Sequence, residues 1–238
     1  MTAFRFPGGD DRTTILGATG SGKSTCGLWL LSHQRLDARP WVIFDFKREQ
    51  FFDRIGFPPI TAIDLDAKPP KKPGLYLVAP RPGQDEDVEK FIWRLWEREN
   101  CGFYVDEAPL MPAGDAFAAV LQQGRSKRLP VIACTQRPVG VARGLFSEAN
   151  FVCVYDILDR RDFKTVEGVV PAEMSRPVLW HHWRWFDRSR RLVLNMKPVP
   201  KPEAVAAMLS ARAPYTANAW HPWVWTGRTS GREAIKLN

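Results

Sequence analysis

The sequence predicts an α/β fold: a mostly parallel central sheet flanked by helices, extended at its C-terminal end by a β-hairpin and an aromatic tail. Three observations predict it. Short, continuously apolar runs alternate with segments of helical periodicity, the pattern of strands buried on both faces between crossover helices. A glycine-rich loop joins the first of these runs directly to the first helix. The alternation stops after about residue 176, where two apolar runs flank Asp187-Arg188-Ser189-Arg190 in the manner of a hairpin.

Each element has its own signal. Thr13-Thr14-Ile15-Leu16 reads as a strand entering the glycine loop, and residues 25–33 as a helix with Leu28, Trp29 and Leu31 as apolar positions. Arg39-Pro40 breaks that helix, and Trp41-Val42-Ile43-Phe44 is the second strand. Residues 57–74 hold Pro58, Pro59, Pro69, Pro70 and Pro73 with Lys68, Lys71 and Lys72, which predicts a loop or a mobile insertion. Leu75-Tyr76-Leu77-Val78 is a third strand. Val88, Phe91, Ile92, Leu95 and Trp96 then follow the spacing of a helix with one buried face. Phe103-Tyr104-Val105 is a fourth strand, and Asp115 is placed to cap a helix carrying Phe117, Val120 and Leu121. Leu129-Pro130 ends that helix. Val131-Ile132-Ala133-Cys134 and Phe151-Val152-Cys153-Val154-Tyr155 are the fifth and sixth strands. Residues 178–185 and 192–196 form the hairpin, and residues 203–212 a last helix. The expected division is a core over residues 1–176, with a hairpin, helix and tail over residues 177–238 appended to the same domain. There is no internal repeat.

The bulk composition is that of an ordinary globular domain, with 45% hydrophobic and 25% charged residues in a chain of 238. No run reaches the roughly 20 apolar residues of a membrane span. The N-terminus lacks the basic-then-apolar pattern of a signal peptide, so the cytosol is the expected compartment. Cys26, Cys101, Cys134 and Cys153 occur without close pairs and are expected as small buried hydrophobes. The net charge is +8 and the pI near 9.5. Residues 116–147 contain no acid against Arg125, Lys127, Arg128, Arg137 and Arg143. Residues 188–202 repeat the pattern with Arg188, Arg190, Arg191, Lys197 and Lys201. Such stretches suit a polyanionic partner, and equally a solvated basic surface.

Gly17-Ala18-Thr19-Gly20-Ser21-Gly22-Lys23-Ser24, followed by Thr25, fits the phosphate-loop pattern G-x-x-x-x-G-K-[ST] at every specified position. The glycines let backbone N–H groups turn inward around phosphates, and the following helix points its positive end at the same anion. Lys23 would reach the β- and γ-phosphates of ATP, and the Ser24 hydroxyl would ligate Mg²⁺. A chance match arises in on the order of one chain in a hundred of this length; the strand before and the helix after make chance a poor explanation here. Phe103-Tyr104-Val105-Asp106-Glu107 is an apolar strand ending in two acids. Asp106 would hold Mg²⁺ through water, and Glu107 would polarise a water for attack on the γ-phosphate. Alone, the pair would read as caps on the next turn. Val131-Ile132-Ala133-Cys134-Thr135-Gln136-Arg137-Pro138 is a strand ending in an amide. If that strand lies between the other two, Gln136 emerges between Lys23 and Glu107, where it can hydrogen-bond to the attacking water or the γ-phosphate. A surface amide at a strand end is the plainer alternative.

Together these three strand ends resemble the FtsK–HerA superfamily of DNA-pumping ATPases, with a RecA-like, additional-strand P-loop NTPase core. The nearest resemblance is to the genome-packaging ATPases of tailless, membrane-containing icosahedral viruses, and it covers roughly residues 10–170. Thr135-Gln136-Arg137-Pro138 is its most telling part. Residues 41–49 are similar to the superfamily's second strand with its Asp-x-Lys-x-Glu-like end, and residues 144–150 and 159–162 to the stretches after the glutamine. The resemblance implies a homo-oligomeric, hexameric ring with ATP between subunits and an arginine of one subunit completing the site of the next. It places that finger in residues 124–128, with Arg125 favoured and Arg128, Arg143 and Arg81 as competitors. It also implies sequence-independent binding of double-stranded DNA through phosphate contacts. Lys68, Lys71 and Lys72, or Arg160, Arg161 and Lys164, are the candidates for that contact.

Trp180, Trp183 and Trp185 alternate along the expected hairpin, which reads as a half-buried strand, with stacking on exposed bases as the alternative. Trp220, Trp223 and Trp225 lie in a tail without periodicity, which would dock onto a neighbouring subunit or a capsid or vertex protein. The resulting expectation is an ATP-driven double-stranded DNA translocase that packages a viral genome, acting in the cytoplasm of the host cell or on the virion. A plasmid or chromosomal DNA pump of the same superfamily, and a DNA-independent nucleotide switch or small-molecule kinase, are the alternatives. The acidic pair Asp106-Glu107 together with Gln136 argues against a kinase, which must exclude water rather than activate it.

Overall fold

A computed structural model of the chain describes residues 4–47, 60–139, 141, 143–157 and 159–214. Nine strands make up one sheet: β1 (Arg12–Leu16), β2 (Pro40–Phe44), β3 (Ile60–Ala62), β4 (Gly74–Val78), β5 (Gly102–Val105), β6 (Val131–Thr135), β7 (Phe151–Val154), β8 (Trp183–Asp187) and β9 (Leu192–Met196). Their spatial order is β3-β4-β2-β5-β6-β1-β7-β8-β9. Strands β1 to β7 pair parallel to their neighbours, and β8 and β9 extend the sheet antiparallel from β7. The helices are α1 (Lys23–Ser32), α2 (Asp85–Arg98), α3 (Asp115–Gln123), α4 (Gly144–Ser147), α5 (Arg160–Glu167) and α6 (Pro202–Arg212). Among the described residues no helix is long and apolar enough to cross a membrane.

Alternate side chains of the parallel strands feed two cores. Leu16, Phe44, Val105, Ala133 and Val154 pack on one face against Val88, Phe91, Ile92 and Leu95 of α2 and Phe117, Val120 and Leu121 of α3. Ile15, Ile43, Tyr104, Cys134 and Cys153 pack on the other face against Leu30 and Leu31 of α1 and Val205 and Leu209 of α6. Each large side chain sealed this way contributes about 1.5–3 kcal/mol relative to exposure. Central strands buried on both faces tend to be apolar throughout, which is why β2, β5, β6 and β7 were legible as continuous runs. Gly27 brings α1 close to the sheet: a Cβ there would lie 2.9 Å from the Tyr104 ring and 3.0 Å from Cys134 Sγ. The four cysteines are buried and free. Burial pushes the Cys101 thiol up to about 12, so it stays protonated.

Several expectations change. Residues 57–74 are not a mobile insertion where described: Ile60–Ala62 pairs with β4, and the loop after it is pinned to α2. Arg98 Nε donates to the Pro70 carbonyl at 2.7 Å, and Arg94 donates to that of Leu65. Asp115 does not cap α3. It is the first helical residue, Gly114 occupies the cap position, and Glu89 of α2 reaches across to accept from Ala116 N at 2.7 Å. The first hairpin strand begins at Trp183 rather than 178, and Asp187 closes it, leaving 188–191 as the turn. Trp183 and Trp185 are fully buried, so the tryptophans are not a half-buried series, and Trp180 lies off the strand and is 66% exposed. Arg48, Glu49, Pro58, Pro59, the side chain of Arg160, and Trp220, Trp223 and Trp225 lie outside the described residues.

Candidate active site

The site forms at the carboxyl edge of the parallel strands, where β1, β6, β5 and β2 end side by side. After β1 the chain turns through residues 17–22, and α1 begins at Lys23. Gly20 (φ 78°) and Gly22 (φ 97°) adopt left-handed backbone, which only glycine takes freely. At Gly17 a Cβ would lie 2.6 Å from Ser21 Oγ and 2.8 Å from Tyr155 Cβ, so the loop closes only without a side chain there. Gly17 N donates to the Thr135 carbonyl at 3.2 Å, fixing the loop to β6.

This loop is built for an anion. Lys23 is buried to 7% exposure and has no ion-pair partner among the described residues. A buried ammonium without a counter-charge is costly unless a ligand supplies one. Ser21 Oγ is buried with no hydrogen-bond partner, and the start of α1 has no side-chain cap. An orphaned hydroxyl, an unpaired cation and a free helix N-terminus converge on one spot, and an oligophosphate satisfies all three.

Asp106 and Glu107 follow β5 and are each 6% exposed. They do not cap the following 3-10 turn: Glu107 stands at its cap position without a side-chain cap bond. The Tyr104 hydroxyl lies 3.2 Å from both the Ser24 carbonyl and Asp106 Oδ1, tying β5 to the first turn of α1. Burial, with Cys134 and Asp106 nearby, holds the Tyr104 phenol well above its ordinary range, so it remains a donor. Tyr104 thereby ties the Ser24 backbone to the Asp106 carboxylate; a serine hydroxyl and a carboxylate are hard-oxygen ligands of the kind Mg²⁺ takes while keeping several waters.

Because β6 lies between β5 and β1, Gln136 emerges between Glu107 and the phosphate loop. Its Nε2 donates to Glu107 Oε2 at 2.9 Å, its backbone N reaches Glu107 Oε1 at 3.4 Å, and Thr19 donates its hydroxyl to Gln136 Oε1 at 2.7 Å. The amide orientation follows from chemistry, since a carboxylate accepts only and the NH₂ must face it. Lys47, just past β2 and therefore beside β5, places Nζ 2.5 Å from Glu107 Oε2. A continuous relay runs Lys47–Glu107–Gln136–Thr19.

Lys23, Ser24, Asp106, Glu107 and Gln136 are thus brought together with residues 17–22. Arg125 is not. It lies exposed in the turn before β6, near Arg12 at the amino edge of the sheet, on the far side from this site. The two groups of candidate DNA-contacting residues also separate. Lys71 and Lys72 precede β4 at the amino edge, whereas Arg161 lies in the first turn of α5 beyond the carboxyl end of β7. Three residues around the site were not singled out from the sequence: Lys47, Tyr155 and His181. Tyr155 packs on Gly17, and His181 Nδ1 lies 3.0 Å from the Ser21 carbonyl, to which it donates. The Asp-x-Lys-x-Glu-like run held the signal for Lys47, but its reach to Glu107 depends on strand order.

No protein-family model matches the chain. DNA packaging ATPase P9 of Enterobacteria phage PRD1 is 35% identical over 216 residues, spanning 86% of this chain and 94% of P9. The genome packaging NTPase B204 from Sulfolobus turreted icosahedral virus 2, in complex with AMPPCP, superposes with a TM-score of 0.65 at 18% identity, over 81% of this chain and all 100% of that one. EssC (ATPases 2 and 3) from Geobacillus thermodenitrificans gives 0.58 at 15% identity, over 85% of this chain and 43% of that one. The two structural likenesses establish the fold, a P-loop α/β core. The identity and coverage shared with P9 establish more: the chain belongs to the family of viral DNA packaging ATPases.

Proposed function

We propose that the chain hydrolyses ATP to drive double-stranded DNA, without regard to sequence, into a preformed viral capsid. It works as a homo-oligomeric, hexameric ring, in the host cytoplasm or mounted on the virion at a capsid or vertex protein. The observation that carries this reading is Gln136, which joins the phosphate loop through Thr19 to the acid pair through Glu107. The acid pair with Gln136 suits activation of a water, which a kinase must instead exclude.

In this reading residues 17–22 and the first turn of α1 cradle the triphosphate of ATP through backbone N–H groups, and Lys23 supplies charge to its β- and γ-phosphates. Ser24, and Asp106 through water, would hold Mg²⁺, which would supply charge neutralisation to the terminal phosphates. Glu107 takes a proton from the attacking water, and Gln136 orients that water or the γ-phosphate. Arg125 acts on the site of the neighbouring subunit, where a guanidinium stabilises charge on the transferred phosphoryl group. DNA is held by phosphate contacts from Lys and Arg side chains, so binding weakens steeply with salt.

The test is ATP hydrolysis with and without double-stranded DNA, for the parent and for Glu107→Gln. DNA-stimulated turnover that the substitution abolishes is the expected result. Turnover indifferent to DNA, from a monodisperse monomer, would replace the motor by a nucleotide switch.

A further inference from the structure

Residues 176–182, between α5 and β8, make an ordered shelf against the phosphate loop. Arg184 is 9% exposed and fixes one end: its guanidinium donates to the Pro177 carbonyl at 3.1 Å and to that of Arg176. The other end is fixed by His181, whose Nδ1–H donates to the Ser21 carbonyl at 3.0 Å. His181 takes left-handed backbone (φ 61°), uncommon for a residue with a side chain, and His182 N closes a turn onto the Leu179 carbonyl at 2.9 Å. Yet the shelf leaves its two large apolar side chains in solvent, Leu179 at 74% and Trp180 at 66% exposure. A Cβ built on Gly20 would lie 3.8 Å from the Trp180 indole, so the ring stands directly beside the phosphate loop. A cleft runs there between Ala18, Tyr155, Asp156, Leu179 and Trp180.

We propose that this shelf is the base-recognition site of the chain and that its ligand is the purine of the nucleotide whose phosphates occupy the loop. The inference rests on the phosphate-site reading above and adds to it the residues that read the base. An exposed indole face held in place by backbone hydrogen bonds is preorganised for stacking, and a bicyclic purine covers more of it than a single ring does. The Asp156 carboxylate at the rim of the cleft accepts hydrogen bonds only, which favours a base carrying an exocyclic amine. Tethering through Ser21 makes the shelf and the phosphate loop one unit, so base and phosphates are held in fixed register.

Equilibrium binding of three probes to the full chain tests this: adenylyl imidodiphosphate, uridine triphosphate and inorganic tripolyphosphate, the last being the phosphates without a base. Trp180→Ala should weaken adenylyl imidodiphosphate by about 10-fold or more, while tripolyphosphate stays within about two-fold of the parent. Trp180→Phe should recover most of the loss, and the parent's preference for the purine over the uracil nucleotide should disappear in Trp180→Ala. Unchanged affinity for adenylyl imidodiphosphate in Trp180→Ala overturns the proposal, as does an equal loss of tripolyphosphate. So does a change confined to oligomer assembly, which would make Trp180 a contact for a neighbouring subunit. A parent that binds none of the three probes, or a Lys23→Ala variant that binds all three unchanged, would overturn the phosphate-site reading and the base site with it.

Discussion

Gln136 donates its side-chain amide to Glu107 at 2.9 Å while its carbonyl receives the Thr19 hydroxyl at 2.7 Å. One uncharged side chain therefore couples the glycine-rich loop to the carboxylate proposed to activate the water. Gln136→Ala should lower kcat by about 100-fold with little change in KM, the pattern of a group that acts in the transition state. Gln136→Glu should be at least as damaging despite its near-identical shape, because it sets a second carboxylate against Glu107. Thr19→Val should have a smaller effect, since the amide keeps its bond to Glu107. Steady-state ATPase kinetics of the three variants distinguish these outcomes, and equal behaviour of the Ala and Glu variants with the parent would remove Gln136 from the mechanism.

Lys47 makes the other hold on Glu107, at 2.5 Å, with its own side chain 29% exposed and that of Glu107 8% exposed. Removing the cation leaves a buried carboxylate without its charge partner. Because Lys47 keeps some solvent, the cost should fall at or below the lower end of the range for buried pairs, about 1–3 kcal/mol. Lys47→Ala in a Glu107→Gln background should cost little more than Glu107→Gln alone, since the charge it would strand is already gone. Urea unfolding of the parent, both single variants and the double variant gives the coupling directly; additive losses would mean that the pair contributes nothing.

The parts of this site that were legible in the sequence are those written in consecutive residues. The loop spacing from Gly17 to Ser24, the two acids after an apolar strand and the Gln-Arg-Pro strand end all report local chemistry. Their convergence was conditional on β6 lying between β5 and β1, a fact of sheet order that periodicity does not carry. Lys47 escaped for the same reason: a lysine after a strand means little until β2 is known to neighbour β5. Ile60–Ala62 was hidden because three residues in a Pro- and Lys-rich stretch carry no strand pattern, and pairing with β4 supplies what propensity does not. The shelf was misread as strand because Val178, Leu179 and Trp180 are apolar and lie just before Trp183–Asp187, although Trp180 is out of phase with Trp183 and Trp185; the backbone at His181 turns left-handed and ends the strand there.

His33, at the C-terminal end of α1, gives a pH dependence of known sign. Its ring stacks on Phe6 at 3.9 Å, and Nδ1 lies 2.8 Å from the Trp29 carbonyl. Burial is the main influence and lowers its pKa from the ordinary 6.5, with the Trp29 carbonyl opposing and nearby Arg212 assisting. Protons therefore bind the unfolded chain more readily. The contribution of this residue is fully present above 6.5 and is lost as pH falls through that value toward the lower folded one. His33→Phe keeps a ring against Phe6 and removes the titration. The stability of the parent relative to His33→Phe should fall between about pH 8 and pH 5.5. Chemical denaturation across that range checks it, and a constant difference would assign the acid sensitivity to other groups.

Arg125 sits at the edge of the sheet opposite to Lys23, beside Arg12, whose pKa burial lowers and Arg125 lowers further. An arginine there cannot bend around the sheet to its own phosphate site. As the proposed finger it would act through a neighbouring subunit, which its exposed position in the turn before β6 permits. The prediction is complementation. Arg125→Ala and Lys23→Ala should each be inactive alone, because one supplies no finger and the other no working phosphate site. Mixed, an Arg125→Ala subunit with its loop intact can receive Arg125 from a Lys23→Ala neighbour, and random one-to-one mixing restores about a quarter of the sites. ATPase rates measured against mixing ratio should rise to a maximum near equal proportions. No recovery at any ratio, from preparations shown to exchange subunits, would exclude Arg125 as the finger and pass the role to Arg128, Arg143 or Arg81, each open to the same mixing experiment.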